Sequence, residues 1–286
     1  MASRQIQKDP TPCLGKRGSE FRKFIEGLLE KGNMKQKYID LLTDAESMDV
    51  YTQVFTHISI DPIGNYERFE ILGDVTCNKF LVWYFSRRFP KLFSTAGVKI
   101  LAELKIKHGS KVMLAPISRE NGFVPFISAI KGEFDTSETS LCEDVFEAFI
   151  GATEFLLDTR IRFGVGYAIC YNILKVLIDD KHIGITYQEL HPPISRVKEL
   201  FDRRDVQARF GCSHTDKQKV VYNTVFDEAT GIYKSSVCSF PRNVPIGFGT
   251  GPSKVAAENT AASNTLLNMR QTYSITDDDK AKAYNI

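Results

Sequence analysis

The stretch Asn65–Pro90, NYERFEILGDVTCNKFLVWYFSRRFP, sets the tightest limits on how this chain can fold. It is strongly apolar (Tyr66, Phe69, Ile71, Leu72, Val75, Phe80, Leu81, Trp83, Phe85) and reads as one helix to Arg88, with Pro90 beyond its end. On that helix Glu67, Glu70 and Asp74, spaced i, i+3 and i+7, share one face. Carboxylates in such surroundings are costly to bury unless a positive charge compensates them. A divalent cation with oxygen ligands is one compensator. A solvated acidic face on an amphipathic helix is the other reading, and the segment alone does not separate the two.

A second segment, SLCEDVFEAFIGATEFLLD, tips the balance. Asp144 and Glu147, spaced i, i+3, share a face of a helix rich in Leu141, Val145, Phe146, Phe149 and Ile150. Gly151 and Ala152 are small enough for close helix–helix approach. Two helices, each bearing an acidic pair in apolar surroundings, can build a four-carboxylate metal cluster between them. Taken together the segments favour a metal site over surface acids.

YERFEILGD resembles the ribonuclease III signature, written ERLEFLGD. CEDVFEAFIGATEFLLD is similar to the second motif of that family, LADxFEAxIGAxYLD, and VFTHIS (Val54–Ser59) to its upstream ALTHxS segment. The resemblance covers about residues 20–270. It implies an all-α ribonuclease III catalytic domain followed by a small α+β (α-β-β-β-α) double-stranded-RNA-binding domain. It also implies an endoribonuclease that cuts double-stranded RNA, leaving 5′-phosphate and 3′-hydroxyl ends with short 3′ overhangs. Carried over residue by residue, Glu70, Asp74, Asp144 and Glu147 are the catalytic residues and the ligands of Mg²⁺, with Mn²⁺ as a substitute. Glu67 and Arg68 take supporting parts. The family works as a homodimer, each subunit cutting one strand. Its signature usually has Phe after the second glutamate, a ring that plugs the partner subunit. Here Ile71 stands at that interface position, burying less apolar area, on the order of 1–2 kcal/mol for the pair.

The chain has 286 residues, enough for two ordinary domains. Its net charge of +2 names no partner, but the distribution is uneven. Residues 191–270 carry 11 Lys/Arg against 7 Asp/Glu, leaving 26 against 28 elsewhere. A mildly acidic front thus carries a mildly basic back, as expected for an acidic metal site joined to a module for polyanions. The cysteines Cys13, Cys77, Cys142, Cys170, Cys212 and Cys238 form no C-x-x-C pair and no zinc spacing, which suggests packing roles in a reducing compartment. No apolar run is long enough for a membrane span, and the N-terminus has no secretory h-region. The expectation is an intracellular protein, cytoplasmic or nuclear, without membrane partner or small-molecule cofactor.

Along the chain, residues 1–19 read as a flexible tail, 20–181 as the catalytic domain, 182–193 as a linker, 194–270 as the RNA-binding domain and 271–286 as a second flexible tail. His57 reads as a structural histidine. Lys105, Lys107 and Lys111 fit phosphate contacts and an ordinary solvated face equally well. The segment 97–122 reads as helical until Pro116, with a turn at Asn121-Gly122. Ser137 or Thr139 is a candidate cap for the second acidic helix, and a further helix is expected over Arg160–Asp179. Ile194–Phe210 reads as one helix. VVYNTVFD and IYKSSVCSF read as strands around a turn at Ala229–Gly231, and Pro245–Gly249 as a short third strand.

Gly249–Ala262, GTGPSKVAAENTAA, resembles the end of a double-stranded-RNA-binding domain, GxGxSKKxAxxxAA. In that reading the glycines let the backbone approach RNA. Ser253 caps a helix whose free N–H groups face a phosphate, and Lys254 adds charge. Glu199 matches the glutamate of this module that reaches a minor-groove 2′-hydroxyl. Val255 replaces the second lysine of the cluster, and the turn DEATGIY lacks the usual Gly-Pro-x-His. Both departures predict duplex affinity that is modest or more salt-sensitive, or a drift toward protein contacts. Two other functions use the same module. One is a protein that sequesters double-stranded RNA, such as a suppressor of RNA silencing. The other is a structural component of a ribonucleoprotein. Neither needs the four acids.

Overall fold

The computed structural model describes residues 9–95, 97–282 and 284. The chain divides into two compact units at His182/Ile183.

The first unit is helical: α1 (Ser19–Glu30), α2 (Gln36–Leu42), α3 (Ala45–Val54), α4 (Glu67–Arg88), α5 (Val98–His108), α6 (Lys111–Glu120), α7 (Lys131–Arg160) and α8 (Gly166–Ile178). Its centre is α4 against α7, both too apolar for a solvent-facing role. Phe69, Phe80 and Phe85 of α4 and Val145, Phe146 and Phe149 of α7 are buried. A cluster of rings (Phe21, Phe24, Phe55, Phe123, Phe126) packs α1 and the end of α3 against the segment before α7. Polar contacts then fix the depth of packing. The buried Tyr51 hydroxyl meets Thr153 Oγ1 at 3.1 Å, and Arg160 holds both Asp44 carboxylate oxygens at 2.7 Å. Asp44 also accepts the Ser47 N–H as the N-cap of α3, so one side chain starts a helix and ties down the end of another.

Several segments depart from the expectations. Pro116 lies inside α6 rather than ending it, and Leu114, Ala115, Ile117 and Ser118 around it are buried, so packing holds the helix through the proline. Ser137 is not an N-cap but a kink (φ −131°, ψ 16°) within α7, which starts earlier at Lys131. α7 ends at Arg160, and α8 begins only after Gly164, whose φ of +88° favours glycine. Residues 9–18, inside the expected tail, are held. β1 (Pro12–Cys13) pairs antiparallel with β2 (Ala129–Ile130), and Arg17 donates to the Phe126 and Phe55 carbonyls. Residues 1–8 of that tail lie outside the described residues.

The second unit holds α9 (Tyr187–Leu190), α10 (Pro193–Phe201), α11 (Arg204–Phe210), the antiparallel sheet β3 (Val220–Asp227), β4 (Ile232–Ser239), β5 (Val244–Gly251), then α12 (Lys254–Tyr273) and α13 (Asp278–Lys282). The sheet order is β3-β4-β5. Its inner face meets α10 and α12 over Val197, Phe201, Val237, Ile246, Ala261 and Met269. The expected single helix over 194–210 is two, α10 and α11, with an ion pair between Arg203 and Asp205 at the break. The segment read as a linker is built in. Thr186 and Glu189 form a reciprocal cap on α9, and Tyr187 is buried with its hydroxyl donating to Glu199 at 2.9 Å. The C-terminal segment is anchored as well. Asp277 pairs with Arg196 at 2.7 Å, both largely buried, and the buried Tyr284 bonds His191 at 2.8 Å. Composition misleads in these stretches because one or two long-range contacts hold an otherwise polar segment.

Candidate metal and catalytic centre

The site begins with two glycines. A Cβ on Gly73 would lie 1.8 Å from the Glu147 carbonyl oxygen, and one on Gly151 would lie 2.1 Å from the Phe69 carbonyl oxygen. The backbones of α4 and α7 therefore touch, and the acids next to the glycines face each other across the contact. α4 brings Glu70 and Asp74. α7 brings Glu143, Asp144 and Glu147.

Their environments differ. Glu147 is buried at 6% exposure, Glu70 and Asp144 are half-buried, and Asp74 is exposed. Burial, then the charges of Asp74, Glu143, Glu70 and Asp144, push the Glu147 carboxyl up to about 8. Burial followed by Asp144 and Glu67 lifts Glu70 to about 7. Asp144 is also raised by burial, against the opposing pull of a hydrogen bond from the Tyr66 hydroxyl (3.1 Å) and the charges of His57 and Lys111. Asp74 is steadied by Asn78, which donates to its Oδ1 at 2.7 Å.

Among the described residues, no three Asp, Glu, His or Cys side chains gather closely enough to enclose a metal ion. Like charges at one crossing repel, and the side chains stand apart. The same repulsion is the test of fit. The donors are all carboxylate oxygens, the set Mg²⁺ prefers, and a divalent charge would offset the strain that raises Glu70 and Glu147. All four predicted acids thus come to one crossing.

The flanking residues fall into place around it. Glu67 sits in the first turn of α4, its N–H donating to Asn65 Oδ1, and adds to the repulsion on Glu70. Arg68 lies over the Phe69 ring at 4.4 Å and the Phe155 ring of α7 at 5.7 Å. His57 accepts the Ser59 N–H at its Nδ1, a turn-forming contact in keeping with its structural reading. Glu143 and the polar role of Tyr66 went unrecognised in the sequence, and Lys111 was read there only as a phosphate contact or a solvated lysine. Glu143 was legible there, since it stands i, i+4 from Glu147. Burial raises the Glu143 carboxyl, and the charge and the backbone N–H of Lys111 act more weakly to lower it, which places Lys111 near the site. Nothing in the sequence pairs Tyr66 with a residue 78 positions away. On another face of α4, Ile71 is 72% and Val75 59% exposed, an apolar pair one turn apart.

In the second unit, Ser253 caps α12 by accepting the Ala256 N–H at 3.2 Å, and Lys254 is exposed beside Glu258. Glu199 is engaged by Tyr187 rather than standing free. Val255 is exposed at 63%. The glycines need a correction. A Cβ on Gly247 would meet Thr265 Oγ1 at 2.2 Å, on Gly249 the Ala261 nitrogen at 2.2 Å, and on Gly251 the Ala257 nitrogen at 2.7 Å. They serve the seating of α12 on β5 instead of opening the backbone to an outside partner.

No protein-family profile matches the chain. A protein of Invertebrate iridescent virus 6 that carries the name ribonuclease 3 is 34% identical over 290 residues, 94% of each chain. A ribonuclease 3 of Bacillus cereus is 25% identical over 228 residues, 77% of this chain and 84% of its own. Among solved structures, the nuclease domain of ribonuclease III from Campylobacter jejuni covers 53% of this chain and 99% of its own, at 21% identity and a TM-score of 0.39. The likeness to the viral protein runs nearly end to end, and on that likeness the chain belongs to the ribonuclease III family.

Proposed function

We propose that the chain hydrolyses phosphodiester bonds in double-stranded RNA, with Glu70, Asp74, Asp144 and Glu147 holding Mg²⁺. The observation that carries this reading is the convergence of the four acids, with Glu143 beside them, at the Gly73/Gly151 crossing. When bound, the cation supplies positive charge at the scissile phosphate and lowers the pKa of water for attack. The chain's own groups do the rest. Glu147, buried and carrying a proton to about pH 8, releases that proton when a cation takes its place. Tyr66 fixes one oxygen of Asp144 by its hydrogen bond, so the other is left to point at the ligand. Asn78 orients Asp74 in the same way.

The products carry 5′-phosphate and 3′-hydroxyl ends. Two copies of the chain, meeting over Ile71 and Val75, would set one site on each strand and give short 3′ overhangs. The second unit supplies duplex affinity through the N-terminus of α12, Ser253 and Lys254, with Glu199 reaching a 2′-hydroxyl after release from Tyr187. The supporting observation is the Ser253 cap on α12, with the exposed Lys254 next to it in the chain.

The test is a long RNA duplex incubated with Mg²⁺ or with EDTA. Mg²⁺-dependent shortening to duplexes with 5′-phosphates is expected. Glu147→Gln should lower cutting by more than the roughly 10–100-fold typical of losing a group behind the metal ligands, while duplex binding stays near the parent value. Retention of full cutting by Glu147→Gln would remove this assignment. Binding without cutting by the parent would favour a sequestering protein.

A further inference from the structure

The crossing with α7 uses the first half of α4. Its second half and α8 border a groove of about 540 Å³. Lys79, Trp83 and Arg87 follow one another at i, i+4 and i+8 on α4, and Tyr167 and Tyr171 stand at i, i+4 on α8. Cations and rings interleave. Lys79 Nζ is 3.8 Å from the Tyr167 ring centroid, and the Arg87 guanidinium is 5.4 Å from Tyr171 and 5.9 Å from Trp83. Phe93 stacks on Trp83 at 6.4 Å and 25°. Trp83 is 47% and Phe93 69% exposed, unusual for rings of this size. Among the described residues neither Lys79 nor Arg87 has a carboxylate partner. Lys79 lies five residues past Asp74, so the groove opens from a different flank of α4 than the acids.

We propose that this groove binds single-stranded RNA, a reading that takes RNA over other polyanions from the function proposed above. A single strand offers what the groove is built to meet, namely bases whose faces stack on rings and phosphates that pair with cations. A duplex keeps its bases stacked inside, so this is not a second duplex site. Lys79 and Arg87 sit on flexible stems over their rings. An arriving phosphate draws each cation aside and leaves the ring face to a base. An unpaired strand that flanks the duplex is the natural occupant.

The single tryptophan of the chain lies in the groove, so its emission reports occupancy directly. Full-length protein in EDTA is titrated with a uridine hexamer. Saturable quenching is expected, with log affinity falling against log salt at a slope of about −1.4, two phosphates at about −0.7 each. Lys79→Glu with Arg87→Glu should weaken the hexamer at least tenfold and leave duplex cutting unchanged. Lys79→Gln with Arg87→Gln serves the same comparison if the charge reversal does not fold, with intact folding checked by melting. Cutting of duplex RNA without any hexamer quenching would overturn the proposal, as would equal quenching by a hexaglutamate peptide, which would mark a site for acidic protein segments. Quenching by the hexamer in a protein that fails to cut duplexes would uphold the groove and sink the nuclease instead.

Discussion

Glu147 concentrates the tension of the site in one side chain. It is nearly sealed from solvent and surrounded by other acids, so its carboxyl holds a proton to about pH 8 instead of releasing it near the ordinary 4.5. Between those values the folded state binds more protons than the unfolded chain, and stability without metal falls as pH rises through that window. Glu70 adds to the same trend up to about 7. Melting in EDTA should therefore give a lower Tm at about pH 8 than at about pH 5.5, and Mg²⁺ should raise Tm more at the higher pH. A Tm in EDTA that is the same or higher at pH 8 would show that the acids do not crowd one another. The acids of the crossing were legible in the sequence from their spacing on two apolar helices, and the choice of four of them as proposed ligands came from the resemblance of the two motifs. The contact of Tyr66 with Asp144 and that of Lys111 with Glu143 were not legible, because each crosses between separate elements.

Among the elements, α4 and α7 carry the argument. Their backbones touch only because Gly73 and Gly151 have no side chain at the crossing. Gly73→Ala puts a methyl group into the Glu147 carbonyl, and the helices must separate. The expected cost is about 3 kcal/mol or more, read by thermal or denaturant unfolding, together with loss of cutting as the two acidic faces part. Wild-type melting and cutting in Gly73→Ala would show that the crossing tolerates movement. The same physics governs β5, where alternate glycines at 247, 249 and 251 seat α12. From the sequence that row resembled a backbone opened to RNA. A run of glycines signals close approach without saying to what, and here the neighbour is the chain's own helix.

For the whole molecule, the exposed pair Ile71 and Val75 bears on assembly. Two such apolar side chains a turn apart on a helix of this length are unfavourable in water and fit a contact between two copies. Ile71→Asp is expected to shift the protein from dimer to monomer by sedimentation and to lower cutting of both strands, with the melting of the isolated fold little changed. A dimer unaffected by Ile71→Asp would place the interface elsewhere. No helix among the described residues is long and apolar enough to cross a membrane. The division into units does not keep the charge split expected from the sequence: residues 1–182 carry 24 Lys/Arg against 24 Asp/Glu and residues 183–286 carry 13 against 11, because Glu189 and Asp277–Asp279 belong to the second unit.

Helices, strands and the acidic pairs are products of near-neighbour physics, and the sequence alone was enough for them. Apolar residues around the acids mark α4 and α7, two β-prone runs around a turn mark β3 and β4, and carboxylates at i, i+3 must share a face. Ser253 as a cap belongs to the same class, since a serine before a helix bonds a backbone N–H three residues on. What required the folded molecule were contacts between distant residues: Gly73 on Glu147, Tyr66 on Asp144, Arg160 on Asp44, Asp277 on Arg196 and Tyr187 on Glu199. Each depends on one side chain finding a partner many residues away, which leaves no periodic trace. For that reason the polar segments 9–18 and 274–282 read as loose and 183–193 as a linker although a few long-range contacts hold them, and a row of glycines read as an outward surface although it faces the core.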